Sequence, residues 1–66
     1  MNEQAPRPKL LLDVKEVVGI LGLGRSVVYR MILSGELPSL KLGRRRKISV
    51  QALSDFVEKL TEDQSQ

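Results

Sequence analysis

The side chains in this chain that can do chemistry are mostly cationic, and they are clustered. Eleven of the 66 residues are Lys or Arg, and seven of these lie between positions 25 and 47. One acid, Glu36, falls among them, so this segment carries +6 and the remainder −3. Concentrated positive charge on a small domain is typical of proteins that bind a polyanion. A solvated surface that only aids solubility is the alternative.

The stretch Arg25–Ser34 is predicted to form a helix that presents part of this charge. At 100° per residue, Val28 and Ile32 lie on one side, and Ser26 and Arg30 lie on the other. Arginine donates bidentately to guanine and serine binds bases or phosphate, so the outer side suits the major groove of DNA. The predicted contacts of this helix are Arg25, Ser26, Val27, Tyr29 and Arg30. For Tyr29, a place at the margin of the core is the alternative.

A short hairpin with a cationic tip is predicted after this helix. Residues 39–42 alternate as a strand, with Leu40 and Leu42 directed inward and Lys41 outward. Residues 43–45 form a turn, and residues 46–48 return with Ile48 directed inward. Such a wing suits the narrow, negative minor groove, whose potential attracts arginine. A nuclear-localisation-like or membrane-surface run is the alternative, although a place inside a hairpin argues against both. The predicted wing contacts are Lys41, Arg44, Arg45, Arg46 and Lys47.

A first helix and a tight turn are predicted ahead of the cationic helix. Asp13 and Glu16 form a capping box that begins a helix over about 14–21. The Gly-Leu-Gly sequence at 22–24 forms the turn, in which Leu23 anchors the backbone to the core. Gly19 lies inside this helix, where glycine is unfavourable, and the sequence gives no physical reason for it. The apolar arc of this helix comprises Val14, Val17, Val18, Ile20 and Leu21.

A third helix is predicted over about 50–60, with Ser49 as its N-cap. We expect Leu37 to anchor the segment before the hairpin, and Phe56 to lie at the centre of the core. The fold class is therefore mainly α with a small β-hairpin: a winged helix-turn-helix over residues 11–60, between a flexible arm at 1–10 and a flexible tail at 61–66. The apolar stripe of the third helix comprises Leu53, Phe56, Val57 and Leu60.

The composition removes several classes of function. There are no cysteines and no histidines, which removes disulfides, the zinc-finger spacings and the usual catalytic triads. No catalytic set can be assembled, so we expect no enzyme, no cofactor and no metal. The longest apolar run is far too short to span a membrane, and no signal peptide is visible. We therefore expect a cytoplasmic protein.

From Leu11 to about Leu60 the chain resembles the excisionase-type branch of the MerR-like winged helix-turn-helix proteins. The resemblance rests on the order and spacing of four blocks, LDVKEVV at 12–18, GRSVVYR at 24–30, GELP at 35–38 and LGRRRKI at 42–48. It implies that the second helix occupies the major groove and the wing the adjacent minor groove. By position, it implies groove and backbone contacts at Arg25, Ser26, Tyr29 and Arg30, and wing-tip contacts at Arg44 and Arg45.

Three residues depart from the pattern of that family. Gly24 stands where serine or another good cap is usual, which weakens the start of the second helix. Arg46 stands where many members carry an aromatic residue, which loosens the wing and adds charge. Leu33 replaces a polar or basic residue, and would pack under the wing or serve self-association. The chain lacks the long dimerisation helix and effector domain of full MerR regulators, so ligand sensing is not expected.

The resemblance implies a recombination directionality factor of a phage or mobile element. Such proteins bind repeated sites beside an attachment site, associate side by side, bend the DNA and help a cognate integrase to carry out excision. The implied partners are thus double-stranded DNA, an integrase and further copies of the chain. A small transcriptional regulator with the same fold is the alternative. A protein-interaction module, such as a phage-encoded inhibitor whose basic patch faces an acidic protein, is the third.

Overall fold

The structure is a computed structural model that describes residues 9–64, and it confirms the predicted fold class. The described chain forms three helices and one small antiparallel sheet with strand order β1-β3-β2. The first two helices have the predicted bounds. The predicted arm lies outside the described residues except for its last two positions. The elements are β1 (Leu11–Asp13), α1 (Val14–Leu21), α2 (Arg25–Ser34), β2 (Leu40–Leu42), β3 (Arg45–Ser49) and α3 (Val50–Gln64).

The strand β1 was not predicted, and it joins the start of α1 to the wing. Leu11 pairs with Ser49, and Asp13 pairs with Lys47, in antiparallel register. The pairing continues one step beyond the strand, where the Val50 amide donates to the Leu10 carbonyl oxygen at 2.9 Å. A three-residue strand shows too little alternation to be detected in a sequence. Its consequence is that β3 lies between two partners and is fixed on both edges.

The turn between α1 and α2 sets the angle between these helices. The capping box at Asp13 is present, and the Asp13 amide donates to Glu16 Oε1 at 2.9 Å. Gly22 ends α1 with φ 69°, a left-handed conformation that costs glycine little, and its amide donates to the Val18 carbonyl at 2.9 Å. The axes of α1 and α2 are bent by 111° at this turn. Because of this angle, α1 does not cover the outer side of α2, which remains exposed to solvent.

The core is a single cluster contributed by every element except β2. Its most deeply buried members, Val17, Val28, Leu37 and Ile48, are fully inaccessible to solvent. Phe56 is also buried, at 8% exposure, and belongs to this cluster, although the four residues just named are buried more deeply. The remaining buried members are Leu12, Val14, Ile32 and Leu53.

Four residues that were expected in the core expose more than a third of their surface. Ile20 is 59% exposed at the last turn of α1, and Leu23 at 37% does not anchor the turn. Val57 and Leu60 are each 41% exposed on α3. The apolar stripes of α1 and α3 continue beyond the area that the small sheet and α2 can cover. Periodicity predicts which side of a helix faces the core, but not how far the core extends along it.

The third helix continues to Gln64, four residues past its predicted end. The expectation that residues 61–64 lack structure was therefore wrong. No glycine or proline occurs after Ser49, so nothing in the sequence stops the helix. The Thr61 hydroxyl donates to the Val57 carbonyl at 2.9 Å within this last part. The predicted cap is confirmed, because the Ala52 amide donates to Ser49 Oγ at 3.0 Å.

The helical Gly19 provides a first testable prediction. A Cβ atom built at this exposed position meets no atom within 4 Å among the residues that the structure describes. Alanine there restricts the unfolded chain and adds no clash, so Gly19→Ala should raise the free energy of unfolding by about 0.5–1 kcal/mol. Urea denaturation measures the change. Gly22→Ala is the matched control, and it should destabilise because its φ is 69°.

Candidate nucleic-acid interface

The helix α2 carries the predicted contacts on its solvent side. Arg25, Ser26 and Arg30 are exposed and Val27 is half-buried. Tyr29 is 41% exposed, and its hydroxyl makes no hydrogen bond with any residue of 9–64. The helix is held from behind by Val28 and Ile32, which belong to the buried cluster. The structure therefore leaves the five predicted α2 residues at least partly accessible, on a helix whose other side is packed in the core.

The start of α2 is open to a ligand. Gly24 is its N-cap, with φ −67° and ψ 157°, and it supplies no side-chain cap. The Gly24 carbonyl accepts the first helical hydrogen bond, from the Val28 amide at 3.1 Å. The amides of the first turn have no side chain to bond to at this cap and retain the positive end of the helix dipole. Together with Arg25, they favour a phosphate group at this end of the helix.

The wing is present, but its register inverts the predicted orientation of its side chains. Lys41 pairs with Arg46, and Leu42 pairs with Arg45. Opposite residues share a face, and alternate residues along β3 share a face, so Lys41 and Arg46 lie on the side of the buried Ile48. Leu40 and Leu42 lie on the other side and are 46% and 50% exposed. The expectation that these leucines point inward was wrong.

The wing tip has a shorter turn than predicted. Because Leu42 pairs with Arg45, only Gly43 and Arg44 form the loop, and Arg45 belongs to β3. Gly43 has φ 62°, as a type II′ hairpin turn requires at its first central position. Arg44 is the second central residue and is exposed at the tip. A loop of two residues, where three were predicted, shifts the register by one residue. This shift moves every side chain of β2 to the other face of the sheet.

The seven clustered cations fall into two groups by their contacts. Three are engaged by other side chains. Arg46 Nη1 donates to Ser39 Oγ at 2.8 Å. Lys47 Nζ lies 2.6 Å and Arg45 Nη1 3.7 Å from Asp13 Oδ1. Within residues 9–64 the other four make no hydrogen bond or ion pair with protein, so they are available to an anion. These four are Arg25, Arg30, Lys41 and Arg44.

Asp13 is a functional candidate that the sequence reasoning missed. The sequence assigns Asp13 only to the capping box, because its proximity to the wing depends on the strand β1, which the sequence does not predict. The hydrogen bond from Lys47 holds the pKa of the Asp13 carboxyl below its ordinary value, with smaller contributions from the charges of Lys47, Arg45 and Lys9. Asp13 therefore remains an anion beside the wing at neutral pH.

Leu33 does not pack under the wing. Its side chain is 83% exposed on the outer side of α2, one turn beyond Tyr29 and Arg30. Self-association, the second role considered for it, stays a prediction.

Residues 9–64 hold no group of three or more His, Cys, Asp or Glu residues that is placed to bind a metal ion. No single helix in this part of the chain is long and apolar enough to cross a membrane. Taken together, α1 and α2 have the length and the apolar composition of a membrane span, but they are bent by 111° where they meet.

Comparison with known proteins agrees with this geometry. Residues 11–61 match the family described as "Helix-turn-helix domain". A protein of Saccharopolyspora erythraea named "Probable excisionase" is 40% identical over 57 residues, which cover 86% of this chain and 58% of that protein. A protein of Streptomyces ambofaciens named "Excisionase" is 40% identical over 48 residues, covering 73% of this chain and 77% of that protein. The chain belongs to the excisionase family of helix-turn-helix proteins.

The chain spans less than two thirds of the length of the Saccharopolyspora relative. No solved structure gives a significant match.

Proposed function

We propose that this protein is a sequence-specific double-stranded DNA-binding protein that acts as an excisionase, a recombination directionality factor. In this proposal α2 enters the major groove and the wing enters the adjacent minor groove. The observation that carries it is the set of four unengaged cations on α2 and the wing, in a chain whose relatives are named excisionases. The proposed contacts are Arg25, Ser26, Val27, Tyr29, Arg30, Lys41, Arg44, Arg45 and Arg46. Lys47, the remaining predicted contact, is held by Asp13 at 2.6 Å and is not among them.

One buried cluster joins α2 and the wing, which supports the proposal that they contact neighbouring grooves. Val28 and Ile32 of α2 and Ile48 of β3 belong to one buried cluster. The helix α2 packs on α1, while α1 and α3 pack on β3, so α2 is joined to the sheet through this cluster. Lys41 and Arg46 lie on the sheet face that carries Ile48. This shared attachment to one core supports the proposal that α2 and the wing bind the same duplex.

The size of the domain bears on how the protein would act. One short recognition helix and one wing read few base pairs, so specificity would come from several copies on adjacent repeated sites and from the ease of bending the DNA between them. We propose that these copies bind cooperatively beside an attachment site, bend it and promote excision of a phage or mobile element by a cognate integrase. The protein itself would supply no catalytic group.

A gel-shift titration of the purified protein tests this function. The probe is attachment-site DNA of its own genome, the control probe is a promoter from that genome, and scrambled duplex is the competitor. Discrete successive shifts on the attachment site alone are the expected result, since they require several copies on specific repeats. One saturable shift on the promoter would indicate a transcriptional regulator instead. Smearing that the competitor abolishes equally on both probes would leave only a basic patch, as in a protein-interaction module.

Arg30 provides a prediction about base reading. If its guanidinium donates bidentately to guanine, Arg30→Ala should cost about 1–3 kcal/mol at one base pair of the site and relax the preference there. Arg30→Lys is the matched control, because it keeps the charge and loses the bidentate geometry. We expect it to lose the preference and retain affinity for unrelated duplex. Binding measured on a set of single-base variants of the site shows this. A uniform loss on all duplexes would mean that Arg30 contacts only phosphate.

A further inference from the structure

The Asp13 carboxylate faces two of the wing cations from outside the wing. Asp13 is the N-cap of α1 and the last residue of β1, and the register places it directly opposite Lys47. Its Oδ1 atom is 2.6 Å from Lys47 Nζ and 3.7 Å from Arg45 Nη1. A carboxylate at the beginning of the first helix is therefore joined to the middle of the wing.

The two cations are held to different degrees. The Lys47 side chain is 22% exposed and makes a short, charge-assisted hydrogen bond. The Arg45 side chain is 71% exposed, and its contact is longer. A phosphate that bound Lys47 would have to displace Asp13 from a partly buried pair. Arg45 has further donors that remain free for a second acceptor.

The pair also lies on the opposite side of the sheet from the other wing cations. Arg45 and Lys47 share a face with the exposed Leu40 and Leu42, whereas Lys41 and Arg46 share the face of Ile48. Lys47 thus differs from Lys41 in its partner, in its exposure and in the side to which it points.

We propose that Asp13 is a positioning residue of the DNA interface, which withdraws Lys47 from the phosphate-binding set and ties β3 to the start of α1. This inference rests on the proposed DNA binding and assigns Lys47 a structural role in place of a DNA contact. A wing that enters a groove turns one face towards each phosphate backbone. In this proposal it contacts DNA through its tip and through the face of Lys41 and Arg46, and Asp13 keeps Lys47 from the backbone on the other face. Asp13 limits the sequence-independent part of the affinity, so base reading by α2 contributes a larger share.

The test is the salt dependence of binding to a duplex of random sequence. The slope of log K against log salt changes by about 0.9 for each phosphate contact, and it is measured between about 50 and 200 mM salt. Asp13→Asn keeps a good N-cap and removes the anion. We expect the slope to become steeper by about 0.9, because Lys47 is released to the DNA. Asp55→Asn is the matched control, since it makes the same charge change on α3, away from the wing, and should leave the slope unchanged.

Lys47→Met provides the second arm. In the otherwise unchanged protein it should leave the slope as it is, and in the Asp13→Asn background it should cancel the increase. A residue with a purely structural role would lower the affinity of Asp13→Asn without a steeper slope, and that result would overturn the inference. So would a shallower slope for Lys47→Met alone. If circular dichroism shows that Asp13→Asn is unfolded, the Lys47→Met arm decides.

Measurements on the unmodified protein distinguish a failure of the proposed DNA binding from a failure of the role proposed for Asp13. If the unmodified protein fails to bind any duplex, the proposed function fails and the inference fails with it. If it binds and Lys47→Met alone lowers the slope by about 0.9, only the role of Asp13 is overturned.

Discussion

Replacing both Lys41 and Arg44 with glutamine should weaken binding to every duplex and lower the slope of log K against log salt by about 1.8. This is twice the value of about 0.9 expected for one lost phosphate contact. The expectation follows from their environment, because both are exposed and have no side-chain partner in the described part of the chain. A salt titration by fluorescence anisotropy on specific and random duplexes measures the slope.

The control for this double variant uses lysines outside the basic segment. Lys15→Gln with Lys59→Gln makes the same change in net charge on the exposed surfaces of α1 and α3. We expect it to shift the affinity slightly through the long-range field and to leave the slope close to that of the parent. Equal slopes for the two double variants would rule out a specific role for the wing.

Replacing Leu37 with alanine should lower the free energy of unfolding by about 2–5 kcal/mol, because it empties the site of a fully buried leucine. Leu37 is fully buried, and its amide donates to the Met31 carbonyl at 3.1 Å, so it fixes the chain between α2 and the wing. In a domain this small each kcal/mol shifts the melting temperature by about 4–8 °C. Calorimetry or urea denaturation measures the loss.

Leu33→Ala is the matched control, because the same atoms are removed from a side chain that is 83% exposed. It should leave the melting temperature almost unchanged. A comparable loss at both positions would mean that Leu33 is covered in solution, as self-association through this side of α2 would require.

The helices of this chain could be predicted from signals close to them in the sequence. The pairing of strands that lie far apart in the sequence could not. The capping box at Asp13 and the glycines after α1 and α2 are visible in the sequence, and they fixed the bounds of both helices. The strand β1 is short, and its partner lies more than thirty residues away. The contact of Asp13 with Lys47 depends on that pairing, so no pattern near Asp13 could have revealed it.

An error of one residue in the predicted length of the wing turn is enough to place the side chains of β2 on the wrong face of the sheet. Alternation in residues 39–42 predicts that Leu40 and Leu42 share a face, which is true, but it does not say which face is buried. A three-residue turn would have placed them beside Ile48, and the two-residue turn places Lys41 there instead. The sequence thus predicts which cationic residues belong to the wing. The side chains that they contact, and the face of the sheet on which each lies, depend on the strand register.

Dimethyl sulfate interference on the attachment-site probe tests most directly whether α2 and the wing occupy adjacent grooves. The reagent methylates guanine at N7 in the major groove and adenine at N3 in the minor groove, so one experiment reports on both. We expect interference at guanine N7 within each repeat and at adenine N3 in the flanking minor groove. In the Lys41→Gln/Arg44→Gln variant the adenine signals should be lost and the guanine signals kept. Binding that methylation at guanine N7 leaves unaffected would contradict a recognition helix in the major groove.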